Sequence, residues 1–363
     1  MTLPVVPPFR PMLSKAATSL PDGEDHGFVF EPKWDGFRCI VFRDGDDVLL
    51  GSRNDKPLTR YFPELMDPIR EMLPERIVVD GEVVVATGRG LDFDALGQRI
   101  HPAESRIAKL SVETPASFVA FDLVALGDTD HQTTPFGERR ALLESVMDPT
   151  SPPLHLSPAT TDRTVAADWF TRFEGAGFDG VMAKATGDPY LQNKRSILKI
   201  KHQRTADVVV AGYRVHKDGA GVGSLLLGLL DDDATLHSIG VASSFAAARR
   251  VELLDELAPF VDGGLDGHPW AEWGEAEAHA TSGRMPGAPN RWNQQRDQSW
   301  VPLRCELVAE IGYQGLTAGR LRHPAKFLRW RPDKAPDQCR YDQLDAPVPI
   351  ELAHLFSNGE FDR

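Results

Sequence analysis

One lysine in this chain has the surroundings of a nucleophile. Lys33 closes an apolar run in the segment Glu31-Pro32-Lys33-Trp34-Asp35-Gly36-Phe37-Arg38, with charge crowded on both sides of it. A free lysine titrates near ~10.4 and is almost wholly protonated at neutral pH, so an attacking amine needs burial or neighbouring cations to release its proton. A structural lysine ahead of an Asp-Gly turn is the plain alternative. Further along, Val79-Asp80-Gly81-Glu82 sets two carboxylates two residues apart, which places both on one face of a regular strand and leaves open which of them is used. Lys199 and Lys201, in Ile197-Leu198-Lys199-Ile200-Lys201, alternate in the same way. Two ammonium groups on one strand face repel, and a buried site tolerates them best with an anion between them. The chemistry this collection could do is nucleophilic attack by an amine beside a bound anion. A phenylalanine such as Phe121, in the valine-rich run around it, is by default core.

The elements that must carry these residues are strands and turns. Phe28, Val29 and Phe30 lead into Lys33 as a strand, and 38–42 reads as the next, so Lys33 is expected on a turn between two strands of one buried sheet. Asp44-Gly45 marks a hairpin that pairs 38–42 with 48–52. Segments 76–85 and 117–124 are strand-like, 136–146 and 165–175 have helical spacing, and 181–184 and 197–201 complete a buried sheet. The character changes after Thr205. Short strands at 207–215, 223–230, 235–241, 303–313 and 326–331 flank one helix at 245–257, which fits a small Greek-key barrel of the OB type. A Gly-, Pro- and Trp-rich stretch, 262–299, reads as a long insertion. The expected division is 1–203, 204–345 and a tail at 346–363, with an α+β fold overall.

At 363 residues and 41% hydrophobic content the chain suits two soluble domains. No apolar run approaches a bilayer span, and Pro4, Pro7 and Pro8 interrupt the place of a signal peptide, so a cytoplasmic protein with no membrane partner is expected. Three widely separated cysteines without a C-x-x-C pair support neither a zinc ribbon nor a disulfide framework. The net charge of −13 argues against a nucleic-acid partner until its distribution is read. Residues 191–217 carry seven cations against one carboxylate, and 318–334 carry six against one. Basic stripes on an acidic body suit a protein that grips a polyanion on one face.

The segment from Lys33 to Arg38 resembles the first motif of the covalent nucleotidyltransferases, the family of ATP-dependent DNA ligases, RNA ligases and mRNA capping enzymes, and companion motifs follow in family order. The resemblance implies an ATP-grasp-like nucleotidyltransferase domain of antiparallel sheets and helices, followed by the OB-fold barrel. It implies that Lys33 attacks the α-phosphate of ATP to form lysyl-AMP, that Glu31 lies beside the adenine amine, and that Arg38 contacts the ribose. Ser52-Arg53-Asn54 resembles the next motif, which puts Arg53 near the sugar and the nick 5′-phosphate. Glu82 matches the family carboxylate for ribose or metal, and Phe121 the aromatic that stacks on adenine. Asp179-Gly180-Val181-Met182-Ala183-Lys184 resembles the motif whose first residue, often glutamate, binds magnesium or manganese; aspartate is one methylene shorter. Lys199 and Lys201 would flank the α-phosphate. Arg322-His323-Pro324 to Arg329-Trp330-Arg331-Pro332-Asp333-Lys334 resembles the last motif, which assigns Arg331 and Lys334 to the pyrophosphate end of ATP.

With the early Pro11-Met12-Leu13 segment, the set is most similar to the small ligase C group of actinobacteria. That implies sealing of 5′-phosphate, 3′-hydroxyl nicks in double-stranded DNA during repair, at the nucleoid and alongside repair proteins. An RNA ligase, an mRNA guanylyltransferase and a catalytically silent DNA-end scaffold are the rivals.

Overall fold

Runs of valine, isoleucine and phenylalanine form the most extensively paired strands of this protein, seen here in a computed structural model. It describes residues 1–22, 27–54, 56–87, 90–172, 178, 180–202, 204–261, 263–271, 299–317 and 319–344. These divide into two units at residues 202 and 203.

In the first unit, Ser117–Leu126, Arg76–Val84, Phe37–Asp44 and Asp47–Ser52 lie side by side in that order, with Leu154–Leu156 on the outer edge. The Asp-Gly hairpin is as the sequence requires, Cys39 facing Ser52 and Asp44 facing Asp47. A second sheet runs Leu13–Ala17, Arg195–Lys201, Gly180–Ala185, Phe28–Pro32. Pairing is antiparallel except at two edges, where Leu13–Ala17 and Leu154–Leu156 run parallel to their neighbours. The helix Phe136–Met147 packs on Ser117–Leu126 and ties to it through Arg139, whose guanidinium donates to the fully buried Asp122 at 2.8 and 3.1 Å. The helix Arg163–Arg172 starts where Asp162 Oδ1 accepts the Thr164 amide at 2.7 Å, an N-cap.

The two strands around Lys33 belong to different sheets, which corrects the expectation of a turn within one. The chain leaves the four-stranded sheet at Pro32 and enters the six-stranded one at Phe37. Gly36 makes this crossing possible, because a Cβ there would lie 2.2 Å from the Val83 carbonyl oxygen.

In the second unit the strands Leu236–Ser243, Val222–Leu230, Arg204–Val215, Val308–Tyr313 and Lys326–Trp330 form one antiparallel sheet. A bridge from Ala242 to Ala325 brings its ends together as an OB-type barrel, and the helix Ala247–Leu257 packs through Leu253 and Leu257. The strand expected at 303–313 begins only at Val308. Ahead of it the chain turns at Arg304, whose carbonyl accepts the Glu306 amide. Within the stretch read as an insertion, Trp270 is fully buried in the barrel core, its Nε1 donating to the Leu236 carbonyl at 2.7 Å. Residues 272–298 and the expected tail lie outside the described residues. Among the described residues no helix is long and apolar enough to cross a membrane.

Candidate active site

The junction of the two sheets is a cavity of about 220 Å³, and Lys33, Glu31, Arg38, Arg53, Glu82, Phe121 and Lys199 all line it. Seven positions spread over most of the first unit thus meet in one place.

The backbone of Lys33 is fastened from the neighbouring strand, its amide donating to the Gly180 carbonyl at 2.8 Å. Gly180 holds φ +136°, and a Cβ would sit 2.0 Å from the Ile200 carbonyl oxygen. Gly180→Ala therefore forces the strand Gly180–Ala185, whose first carbonyl fastens Lys33, away from the strand that carries Lys199. We expect it to cost about 3 kcal/mol or more, read as a fall in the urea unfolding midpoint. Beside Lys33, Trp34 is buried against Phe178 with ring centroids 4.8 Å apart, and its Nε1 donates to Ser157 Oγ at 2.9 Å. The neighbour of Lys33 is thereby anchored.

Lys199 enters the cavity opposite Met182 in the pairing register, and Lys201 stands opposite Gly180 two residues on. Burial, then the charges of Lys201, Lys33, Arg195 and Arg53, hold the Lys199 ammonium below its ordinary pKa. This is a pocket of cations that favours an anionic guest.

Glu82 is the complementary group. Burial pushes its carboxyl up to about 7, against the pull of Arg38 and Lys33 and with added push from Asp80 and Asp35. No hydrogen bond or ion pair to Glu82 is present among the described residues. A desolvated, unpartnered carboxylate facing a cation-lined cavity fits a divalent cation, which would restore its charge. Among the described residues no group of three carboxylate, imidazole or thiol side chains converges, so a cation here would rely on one or two carboxylates and on the nucleotide. Asp179, the other expected ligand, lies outside the described residues. Without a cation, the folded chain binds a proton at Glu82 that the unfolded chain releases near the ordinary glutamate pKa. Stability therefore falls as pH rises through about 7. Glu82→Gln is expected to abolish that loss and raise the melting temperature above pH 7, while removing activity; melting curves at pH 5 and pH 8 check the sign.

Arg38 is oriented from behind. Its Nε and Nη2 donate to the buried Asp80, which also accepts the Tyr190 hydroxyl at 2.5 Å, and its guanidinium lies 4.5 Å from the centre of the Phe121 ring. The open choice between the two carboxylates of the 79–82 segment resolves into separate tasks: Asp80 positions Arg38, and Glu82 faces the cavity.

Glu31 is buried and held by two cations that sequence reasoning did not single out. It accepts from Lys184 Nζ at 2.7 Å and Arg140 Nη1 at 3.0 Å. Lys184 also donates to the Phe121 carbonyl at 2.8 Å and lies 4.7 Å from the centre of its ring, so it links Glu31 to the expected stacking aromatic. A carboxylate accepts about four hydrogen bonds, which leaves Glu31 capacity for an amine. The signal for Lys184 was present, since it closes the motif segment on the strand that carries Met182. Nothing local marks Arg140.

Arg331 and Lys334 are in the second unit. Arg331 Nη1 donates to both oxygens of Asp207 at 2.9 Å, Lys334 Nζ to the same carboxylate at 2.9 Å, and Arg331 Nη2 to Asp333 at 2.8 Å. Both cations are thus neutralised by acids of their own barrel.

Comparison with known proteins shows the family. Residues 11–201 match a family model described as the ATP dependent DNA ligase domain, and 218–334 one described as the ATP dependent DNA ligase C terminal region. DNA ligase C of Mycobacterium tuberculosis is 52% identical, covering 98% of this chain and 99% of its own length. DNA ligase C2 of Mycolicibacterium smegmatis is likewise 52% identical over 96% of this chain and 97% of its own. A solved structure from a study of Lig E DNA ligases superposes with a TM-score of 0.54 at 17% identity, over 88% of this chain and 99% of its own, and shows the shared fold. With a lysine fastened at a cation-lined cavity between two sheets of the first unit, a barrel as the second unit, and these matches over nearly its whole length, the chain belongs to the ATP-dependent DNA ligases and fits their small actinobacterial ligase C group.

Proposed function

We propose that this protein seals 5′-phosphate, 3′-hydroxyl nicks in double-stranded DNA at the expense of ATP, through a lysyl-AMP intermediate on Lys33. The observation that carries the reading is Lys33 fastened by Gly180 at a cavity that also holds Lys199, Arg53 and the unpartnered Glu82. In the first step the Lys33 amine attacks the α-phosphorus, a P–N bond forms, the bond to pyrophosphate breaks, and the ammonium proton goes to solvent. AMP then passes to the nick 5′-phosphate, and the 3′-hydroxyl displaces AMP to close the strand. Each step is an in-line displacement at phosphorus, so positioning and charge neutralisation supply most of the rate. Lys199 and Lys201 draw the α-phosphate to the amine, Arg38 orients the ribose over Phe121, and Glu31 accepts from the adenine amine. Magnesium or manganese, held by Glu82 and Asp179, would withdraw charge from the phosphate oxygens. Arg331 and Lys334 are assigned to the departing pyrophosphate, for which they exchange Asp207 for phosphate oxygens. We place this activity in DNA repair, in the cytoplasm at the nucleoid, with repair proteins as partners.

The test is incubation with α-labelled ATP or GTP and magnesium, followed by denaturation, acid treatment, and sealing assays on nicked DNA and nicked RNA. ATP-specific, acid-labile label with sealing of DNA supports the reading. GTP labelling would point to a guanylyltransferase, preference for RNA nicks to an RNA ligase, and no label to a silent scaffold.

A further inference from the structure

A second groove, of about 320 Å³, is lined by Arg10, Arg53, Asn54 and Asn193, and it shares Pro11, Leu13 and Arg53 with the nucleotide cavity. Lys33 lines only the first space, Arg53 lines both, and Arg10 lines only the second. The order outward from the nucleophile is therefore Lys33, Arg53, Arg10. Arg10 is exposed, yet its backbone is well held. Its amide donates to Gln192 Oε1 at 3.3 Å, the Asn193 amide to the Pro11 carbonyl at 3.2 Å, and the Leu13 amide to the Lys194 carbonyl at 2.8 Å. Asn193 turns the chain at φ +56°, a conformation asparagine accepts more readily than most residues.

Most other guanidiniums of the first unit are engaged; Arg106, on the helix Glu104–Glu113, is an exception among the described residues. Arg38, Arg76, Arg99, Arg139 and Arg140 all bind carboxylates, and Arg43 binds backbone carbonyls. Arg10, Arg53 and Arg195, all facing this continuous space, have no ion pair among the described residues. In a chain of net charge −13 carboxylates are abundant, so three unneutralised guanidiniums along the cavity and the groove that adjoins it mark a site for an extended anion.

We propose that Arg10, with the side-chain carboxamides of Asn54 and Asn193, binds a backbone phosphate of the nicked DNA one position out from the phosphate held at Arg53, and so sets the register of the nick over Lys33. The proposal rests on the ligase reading and adds a positioning residue to it. A phosphate contact fixes where the strand lies without reading its sequence, and it carries the salt dependence of one released counterion.

The test uses the full chain with Arg10→Ala and Arg10→Lys. Labelling by ATP is measured first, then the rate of sealing against nicked-duplex concentration at several salt concentrations. We expect ATP labelling of Arg10→Ala at the parental rate, a rise of about fivefold to tenfold in KM for the nick, and a salt slope smaller by about one. Arg10→Lys should recover most of the loss. An unchanged KM and salt slope would overturn the proposal, leaving Arg10 a solvated side chain. A raised ATP requirement in the labelling step would also overturn it, by assigning the groove to the triphosphate. Failure of the unaltered chain to label would overturn the ligase reading itself, and this proposal with it.

Discussion

The chain carrying Lys33→Ala is expected to lose covalent labelling from ATP by about 10⁴-fold or more while still closing a nick that already bears AMP. The first expectation follows from the proposed role of the Lys33 amine as the atom that bonds to phosphorus; Lys33 lines the cavity where the chain crosses from one sheet to the other. Lys199 and Lys184 share the cavity, but Lys184 is committed to Glu31 and the Phe121 carbonyl, and Lys199 stands on another strand. The second expectation follows because strand closure uses the 3′-hydroxyl as nucleophile and leaves Lys33 unbonded. Lys33→Arg should fail equally, since a guanidinium stays protonated. Gel autoradiography with α-labelled ATP and sealing of a synthetic adenylated nick read the two halves separately. Label retained in the alanine variant would remove Lys33 as nucleophile, and loss of both activities would mean that the site had collapsed rather than lost one atom.

Glu31→Ala is expected to destabilise the first unit by about 3–5 kcal/mol, because it strands two cations in the interior. Lys184 and Arg140 are nearly inaccessible to solvent, and Glu31 meets both. Arg140 retains Glu144 and the Ser157 carbonyl, whereas Lys184 keeps only a carbonyl and two ring faces, so the greater part of the cost falls on Lys184. Adding Lys184→Met should recover much of the stability, as removal of a whole buried pair costs far less than removal of one member. Denaturant titration of the single and double variants measures this. A Glu31→Ala chain as stable as its parent would show that the triad is not a structural element. If the double variant folds yet labels poorly with ATP while Lys184→Met alone labels normally, Glu31 also has a role at the nucleotide, beyond holding the fold.

Local rules carried a good deal of this protein. The Asp44-Gly45 turn with apolar residues on either side fixes the hairpin and its register, because few connections of that length match the twist of two strands. Alternation puts Lys199 and Lys201 on one strand face, and the motif order that begins at Lys33 identifies the family that the comparisons establish. Arg43 and Arg99, by contrast, are buried with carbonyls and Glu64 that lie far from them in sequence, and no pattern announced them.

The sequence by itself determined which residues can do the chemistry, since side-chain type and strand periodicity are local properties of the chain. Only the tertiary structure decided which partners they have. Lys33 sits between two sheets rather than within one, Glu31 is held by Arg140 from a helix 109 residues away, Asp80 rather than Glu82 orients Arg38, and Arg331 and Lys334 rest on Asp207. Strand order and close backbone approach at Gly36 and Gly180 set those pairings, and both depend on contacts between distant segments that no local periodicity encodes.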